Sequence, residues 1–373
     1  MAGLYFHIPW CRRVCSYCNF HFSTNTRDME PLLQAMRKEL ETEKDFMGTR
    51  RLESVYFGGG TPSLLPAEGL DQLLQDVNQW FDVVPGAEIT LESNPEDLEP
   101  EKMLTWKRSG INRLSIGVQS LGEEDLNHMH RNHTAADSLG AVDRALEAGF
   151  SSVNLDLIFG SPWLTDALWE ETLDWAFHSG ADHISAYALT VEPKTFLNKK
   201  IAKGEWPEVN DKRQSEQYRK LYRYAEEHGW DFYEISNLSK PGHRAVHNSN
   251  YWKNRPYLGI GPSAHSYIPG LRRWNVSDNR KYTLAWQELQ PCFTQEVLEN
   301  RDMYNEYLLT RIRTTEGVDL PELLAFGLTD AATLEELIGR AESQGLVIRQ
   351  GTRCTLTLEG RLLADGITAD WML

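Results

Sequence analysis

Cys11, Cys15 and Cys18 stand in the run Cys-Arg-Arg-Val-Cys-Ser-Tyr-Cys. This CxxxCxxC spacing places three thiolates on one tight loop. A closed [4Fe–4S] site takes four cysteines. Three would grip three corners of a cubane and leave one iron with an open position for a small molecule. A structural zinc site is the rival reading, with His7 or His21 as its fourth ligand. Disulfides are a weaker reading. The chain has five cysteines, an odd number, and it opens without the basic and apolar regions of a secretory leader; both point to a reducing compartment. Cys292 and Cys354 lie far along the chain and read as ordinary buried thiols.

The three-cysteine loop resembles that of the radical S-adenosylmethionine (radical SAM) superfamily. The resemblance implies that the amino and carboxylate groups of SAM chelate the open iron, and that the cofactor carries the hard chemistry while the protein orients it and excludes water. Other polar groups recur where such a ligand needs them, at the ends of strand-like segments. Gly58-Gly59-Gly60-Thr61-Pro62 is a turn whose backbone can approach a ligand closely, since no Cβ intervenes. Glu92, followed by Asn94-Pro95, offers a carboxylate to amino or ribose hydroxyl hydrogens. Gln119 suits a ribose, Asp156 lies within a strand, and Arg131 is a natural counterpart for a carboxylate. Singly, each has a plain alternative as a tight loop or a solvated charge. Their shared placement on one rim carries the reading.

The elements that position these groups alternate. Strands are predicted at 3–8, 54–58, 87–92, 112–118, 152–159 and 183–190. Between them run amphipathic helices. In 66–81, Leu70, Leu73, Leu74, Val77 and Phe81 share one 3.6-period face. In 134–148, Thr134 is the N-cap, Leu139, Val142 and Leu146 make the stripe, and Gly149 ends it. Thr165 and Gly180 bracket a third. Six βα units predict an α/β fold with a parallel sheet, an open three-quarter (β/α)6 barrel with its site at the C-terminal strand ends. The expected divisions are 1–195 for the partial barrel, 196–290 for a loop-rich region that completes it, and 291–373 for a smaller C-terminal α+β domain. That last segment has helices near 302–313 and 331–344, then Leu346-Val347-Ile348 and Thr355-Leu356-Thr357-Leu358, a winged-helix-like pattern. Residues 301–373 hold seven Arg and no Lys against twelve Asp and Glu. Such a surface repels phosphate, so a packing or docking module is the better reading.

Longer motifs narrow the family. Tyr5-Phe6-His7-Ile8-Pro9-Trp10-Cys11, Phe57-Gly58-Gly59-Gly60-Thr61-Pro62-Ser63, Asn112 to Ser120 and Asn154 to Gly160 resemble the oxygen-independent coproporphyrinogen III oxidase family and its relatives. The resemblance implies SAM contacts at Tyr5, Gly59, Gly60, Thr61, Glu92, Gln119, Arg131 and Asp156. That family holds true oxidases and a branch of HemW-type haem chaperones. The oxidases carry CxxxCxxCxC, where this chain has Phe20, and an N-terminal segment that this chain lacks. His247-Asn248-Ser249-Asn250-Tyr251-Trp252 matches the HNxxYW motif that resembles the haem-binding signature of the chaperones. His247 would then be an axial ligand, with Asn248, Tyr251 and Trp252 beside the porphyrin and His243 or His265 as candidates for a second ligand. As an isolated pair, His-Asn would read as a loop histidine bonded to backbone.

Composition sets the outer bounds. The chain has 373 residues, 41% hydrophobic and 25% charged, with a net charge of −16. This is ordinary globular material, and its charge argues against a general nucleic-acid binder. No apolar stretch reaches the length of a membrane span, so the expected location is the cytoplasm, with peripheral membrane contact left open, as is the choice between monomer and dimer. Three hypotheses stand. The first is a haem chaperone with a [4Fe–4S] cluster and SAM, serving apo-proteins such as respiratory haem proteins. The second is a radical SAM oxidase that decarboxylates tetrapyrrole propionates. The third is a structural zinc protein.

Overall fold

Six parallel strands follow one another in chain order across a single sheet of the computed structural model, which describes residues 1–373. They are β1 (Ala2–Ile8), β2 (Arg51–Gly59), β3 (Asp82–Ser93), β4 (Arg113–Gln119), β5 (Ser152–Phe159) and β6 (His183–Ala188). All six predicted strands form, and the sheet does not close between β6 and β1. The architecture is the open α/β barrel expected of six βα units. Both edges are extended by short strands. β7 (Asn237–Ser239) runs antiparallel beside β6, and β8 (Tyr257–Ile260) runs parallel beside β1. Beyond β8 come β9 (His265–Ile268), β10 (Leu271–Asn275) and β11 (Phe293–Val297), all antiparallel, for eleven strands in one sheet. Between β7 and β8 the chain crosses from one edge to the other through the helix Val246–Trp252.

Side chains alternate along a strand, and in β1 to β6 the two faces differ in kind. Leu4, Phe6, Val55, Phe57, Leu91, Leu114, Leu155 and Ile184 are buried in one large apolar core with the helices. The alternate positions, among them Tyr5, Tyr56, Glu92, Arg113, Asn154, Asp156, His183 and Ser185, face a cavity inside the barrel. Parallel strands covered on both faces ordinarily read as continuous apolar runs. This polar inner face departs from that pattern because it lines a cavity and not a second apolar layer.

The helix Ala67–Trp80 buries Leu70, Leu73, Leu74 and Val77 as its periodicity predicts. The next predicted helix is two, Ala135–Leu139 and Ala141–Glu147, broken at Gly140. Thr134 caps the first with a reciprocal capping box to Asp137. The break spoils the single stripe: Val142 is buried, but Leu139 and Leu146 are exposed. Glycine is a poor helix former, and the turn at Gly140 lets the second helix start on a new face.

The C-terminal segment has its own core, including Tyr304, Leu308, Val318, Ile338 and Trp371. Helices Asn300–Arg311, Leu320–Leu324 and Ala331–Ser343 surround a small sheet of β12 (Val318–Asp319), β13 (Val347–Gln350) and β14 (Arg353–Leu356), ordered β12-β14-β13. Buried Arg361 fastens it to the barrel, donating to the carbonyls of Glu234 at 2.8 Å and Phe232 at 2.9 Å.

Candidate functional site at the barrel mouth

The cysteine loop leaves β1 at Pro9 and is pinned by backbone bonds at both ends and in its middle. Cys11 N donates to Ser23 O at 3.0 Å, and Ser16 N donates to Met129 O at 3.0 Å. Cys11, Cys15 and Cys18 are half-buried free thiols lining one cavity of about 570 Å³; Cys354, buried as expected, and Cys292, exposed against expectation, do not line it. Burial pushes the Cys11 thiol up to about 11 and that of Cys18 upward as well. Such thiols need a bound metal to hold them as thiolates. A positive charge lies close to hand in half-buried Arg131, whose Nη1 donates to Cys15 Sγ at 3.5 Å. Its Nη2 donates to Asn94 Oδ1 at 2.6 Å and Gly117 O at 2.7 Å, so the guanidinium is held against the loop.

The zinc reading fails on its fourth ligand. His7 Nε2 lies 2.9 Å from His21 O, and its Nδ1 lies 3.1 Å from the Tyr5 hydroxyl. His21 Nε2 is 2.7 Å from Asn279 Oδ1. Neither histidine lines the cavity with the cysteines. No three His, Cys, Asp or Glu side chains converge on a single-ion position, whereas a cubane spreads its thiolates over separate irons.

The glycine turn works first through its own packing. Gly59 has φ +107°, and a Cβ there would fall 2.6 Å from the His7 ring. At Gly60 a Cβ would fall 2.7 Å from Trp10 O, on the backbone that leads into the cysteine loop. The turn is thus seated directly against that loop, and Gly60 N donates to Ile8 O at 2.7 Å. Gly59 N donates to Glu92 Oε2 at 3.1 Å, and the Tyr56 hydroxyl donates to Glu92 Oε1 at 2.7 Å. Burial, reinforced by the nearby Asp156 charge, pushes Glu92 up to about 7. Asp156, also pushed up by burial, accepts from Ser115 at 3.0 Å and Asn154 at 2.8 Å. Gln119 ends β4 in the left-handed region at φ +66°, a strained conformation for a non-glycine residue and one found at functional rims. The buried Ser93 hydroxyl lines the cavity and has no partner in the protein. Three thiols, a high-pKa carboxylate, a held guanidinium and an unpartnered hydroxyl are a donor set that suits an iron–sulfur cluster and an amino-acid-bearing ligand.

The HNxxYW helix lies elsewhere in the same cavity. It closes the barrel's floor, at the N-terminal ends of β1 and β2. A Cβ on Gly3 would come 3.2 Å from the His247 ring, and His247 Nδ1 is 2.8 Å from Ser54 Oγ. Its Nε2 is 2.9 Å from the Tyr251 hydroxyl, and the ring stacks on Tyr56 at 5.0 Å. Glu88 takes the place of an N-cap, accepting from Val246 N at 2.8 Å and His247 N at 2.9 Å. Burial, with Arg113 adding to it, pushes His247 down to about 3, so the ring is neutral. Both its nitrogens are engaged, and an axial bond to iron would displace one of these partners. Asn248 and Tyr251 line the cavity, but Trp252 does not. His243 bonds Asp182 at 2.7 Å and His265 stacks on Trp274 at 5.9 Å; neither lines the cavity.

Residues 5–176 match the family model described as Radical SAM superfamily, and residues 298–363 match that of the HemN C-terminal domain. The chain is 35% identical to the heme chaperone HemW of Mycobacterium tuberculosis over 371 residues, covering 98% of this chain and 93% of that one. The chain belongs to the HemW family of radical SAM proteins. Other HemW relatives agree, with 31% identity to that of Bacillus subtilis over 98% of both chains. A third relative is the mitochondrial radical S-adenosyl methionine domain-containing protein 1 of Danio rerio, 30% identical over 98% of this chain and 86% of that one. The solved structure of coproporphyrinogen III oxidase (HemN) from Escherichia coli shares the fold, with a TM-score of 0.84 at 22% identity over 99% of this chain and 89% of that one.

Several cavity residues of this HemW family member escaped sequence reasoning: Tyr56, Ser93, Arg113, His130, His183 and Tyr187. The signal for most of them was present. Within the predicted strands, polar residues recur at every second position, as in Arg113 and Ser115 or His183 and Ser185, and that alternation marks an inner wall.

Proposed function

We propose that this chain is a haem chaperone of the cytoplasm. It would hold a [4Fe–4S] cluster on Cys11, Cys15 and Cys18, bind SAM beside it, and deliver haem to apo-haemoproteins, respiratory ones among them. The near-full-length match to heme chaperones named HemW carries the reading. Phe20 supports it, since it stands two residues after Cys18 where the oxidases carry a further cysteine. No helix is long and apolar enough to cross a membrane.

Cluster and SAM together supply one-electron chemistry when bound. The chain's own residues do the rest. Glu92, when ionised, would pair with an ammonium group. Arg131 brings positive charge to the thiolate loop and holds the loop in place. Tyr5, Thr61, Gln119 and Asp156 line the cavity around a bound ligand, with the Gly59 and Gly60 backbone drawn close to the loop, and the His247 helix closes the far end to water. The test is anaerobic reconstitution followed by incubation with coproporphyrinogen III and SAM under reduction. The reading expects about four irons per chain, haem binding, and no decarboxylated product. Efficient formation of that product would favour the oxidase instead.

A further inference from the structure

Three Phe, Tyr or Trp side chains of the whole chain are exposed: Phe20, Tyr187 and Phe196. All three belong to one place. Phe20 and Tyr187 line the barrel cavity on its cysteine-loop side, and Phe196 packs on His130, another lining residue, with ring centroids 4.8 Å apart. Scattered exposed aromatics need no explanation, but a group of them around a cavity marks a binding surface.

The cavity is lined by three histidines, His130, His183 and His247. His183 has both nitrogens engaged, 2.6 Å from Asn154 Oδ1 and 2.8 Å from the Tyr233 hydroxyl. His247 is likewise engaged by Ser54 and Tyr251. The His130 ring makes no hydrogen bond to another side chain and packs against Phe196 at 4.8 Å and Trp206 at 6.3 Å between ring centroids. Of the three it is the imidazole held by aromatic packing and not tied by side-chain hydrogen bonds, which leaves it available to a metal. Arg13 also lines the cavity, is close enough for its charge to act on His130, and makes no ion pair.

We infer that haem binds at the barrel mouth with His130 as an axial ligand, Phe20 and Phe196 against the macrocycle, and Arg13 facing a propionate. The inference rests on the haem-chaperone reading and gives it a site. The chemistry matches at each point. Imidazole is a common haem ligand, aromatic faces take a flat apolar ring, and a free guanidinium pairs with a carboxylate. The HNxxYW helix then serves as the cavity's floor, with its imidazole tied.

The test titrates hemin into the full chain with its cluster reconstituted, reading the Soret band and the affinity. His130→Gly suits the site because His130 has φ +59°. This variant should lose the wild-type Soret band and about tenfold or more in affinity, and added imidazole should restore the band. Phe20→Ala and Arg13→Gln should weaken binding with the band in place. His247→Gln should keep the band. A His130→Gly protein with the wild-type band and affinity would overturn the assignment. Should His130→Gly also lose its cluster, the imidazole arm decides: restoration of the band upholds the assignment, and none overturns it. Wild-type protein that binds no haem would instead overturn the chaperone reading itself.

Discussion

His247 Nε2 meets the Tyr251 hydroxyl at 2.9 Å, one helical turn along, while its Nδ1 meets Ser54 across the barrel at 2.8 Å. The helix is thereby locked to β2 by a neutral, buried imidazole. Tyr251→Phe removes the partner of Nε2 and leaves that nitrogen unsatisfied, while Nδ1 keeps Ser54. It should lower stability by about 1–3 kcal/mol, read from the denaturant midpoint, with iron content unchanged. A midpoint equal to wild type would show that the bond contributes nothing.

Gly60 is predicted to be as necessary to the cluster as a cysteine, although it ligates nothing. A methyl group there would press on Trp10 O at 2.7 Å, and backbone cannot yield as a side-chain tip can. Gly60→Ala should sharply reduce iron uptake on reconstitution. Cys292→Ala should leave it untouched. Equal iron in Gly60→Ala and wild type would detach the turn from the cysteine loop.

Glu92 predicts a pH dependence for SAM binding. Its acid form is favoured by burial, and it titrates near 7 in the free protein. The carboxylate that faces an ammonium is thus present above about 7 and lost as pH falls through that value. SAM affinity should drop on acidification from pH 8 to 6, and Glu92→Gln should be weaker at pH 8 and nearly flat between the two. Titration calorimetry at both pH values checks this. A slope retained in Glu92→Gln would assign the titration to another group.

Glu88 should hold the floor helix. It caps Val246 and His247 and lies 3.8 Å from Arg113, both side chains being buried. Glu88→Ala strands that guanidinium, so it should destabilise by about 3–5 kcal/mol, well beyond the loss of an ordinary cap. Loss of only about 1 kcal/mol by denaturant unfolding would mean that the ion pair is not coupled to the fold.

The barrel was legible in the sequence because each of its six strands carries its own signal and is followed by a helix with its own. Cys11, Cys15, Cys18, Gly59, Glu92, Gln119 and Arg131 were legible for a related reason: strand ends of a parallel barrel share one rim. The HNxxYW motif was visible as a string, but its place was not. Its partner Ser54 is 193 residues away, and nothing local says that a loop-rich stretch will cross between sheet edges and plug the floor. The short β7 and β8, three and four residues long, lack the length for a periodic signal. The cavity-facing role of Phe20 was hidden for another reason, since a sequence shows that a cysteine is missing there without showing which surface the phenylalanine occupies.

The most direct measurement of the central claim is haem transfer. The reconstituted chain is loaded with haem, freed of excess, mixed with an apo-haemoprotein, and separated from it after timed intervals. The account predicts that haem leaves this chain and appears on the acceptor, faster than from an equal amount of haem bound to an unrelated carrier protein, with no tetrapyrrole decarboxylated by the same sample. Haem that stays on the chain, or reaches the acceptor no faster than from the unrelated carrier, while coproporphyrinogen is turned over, would contradict it.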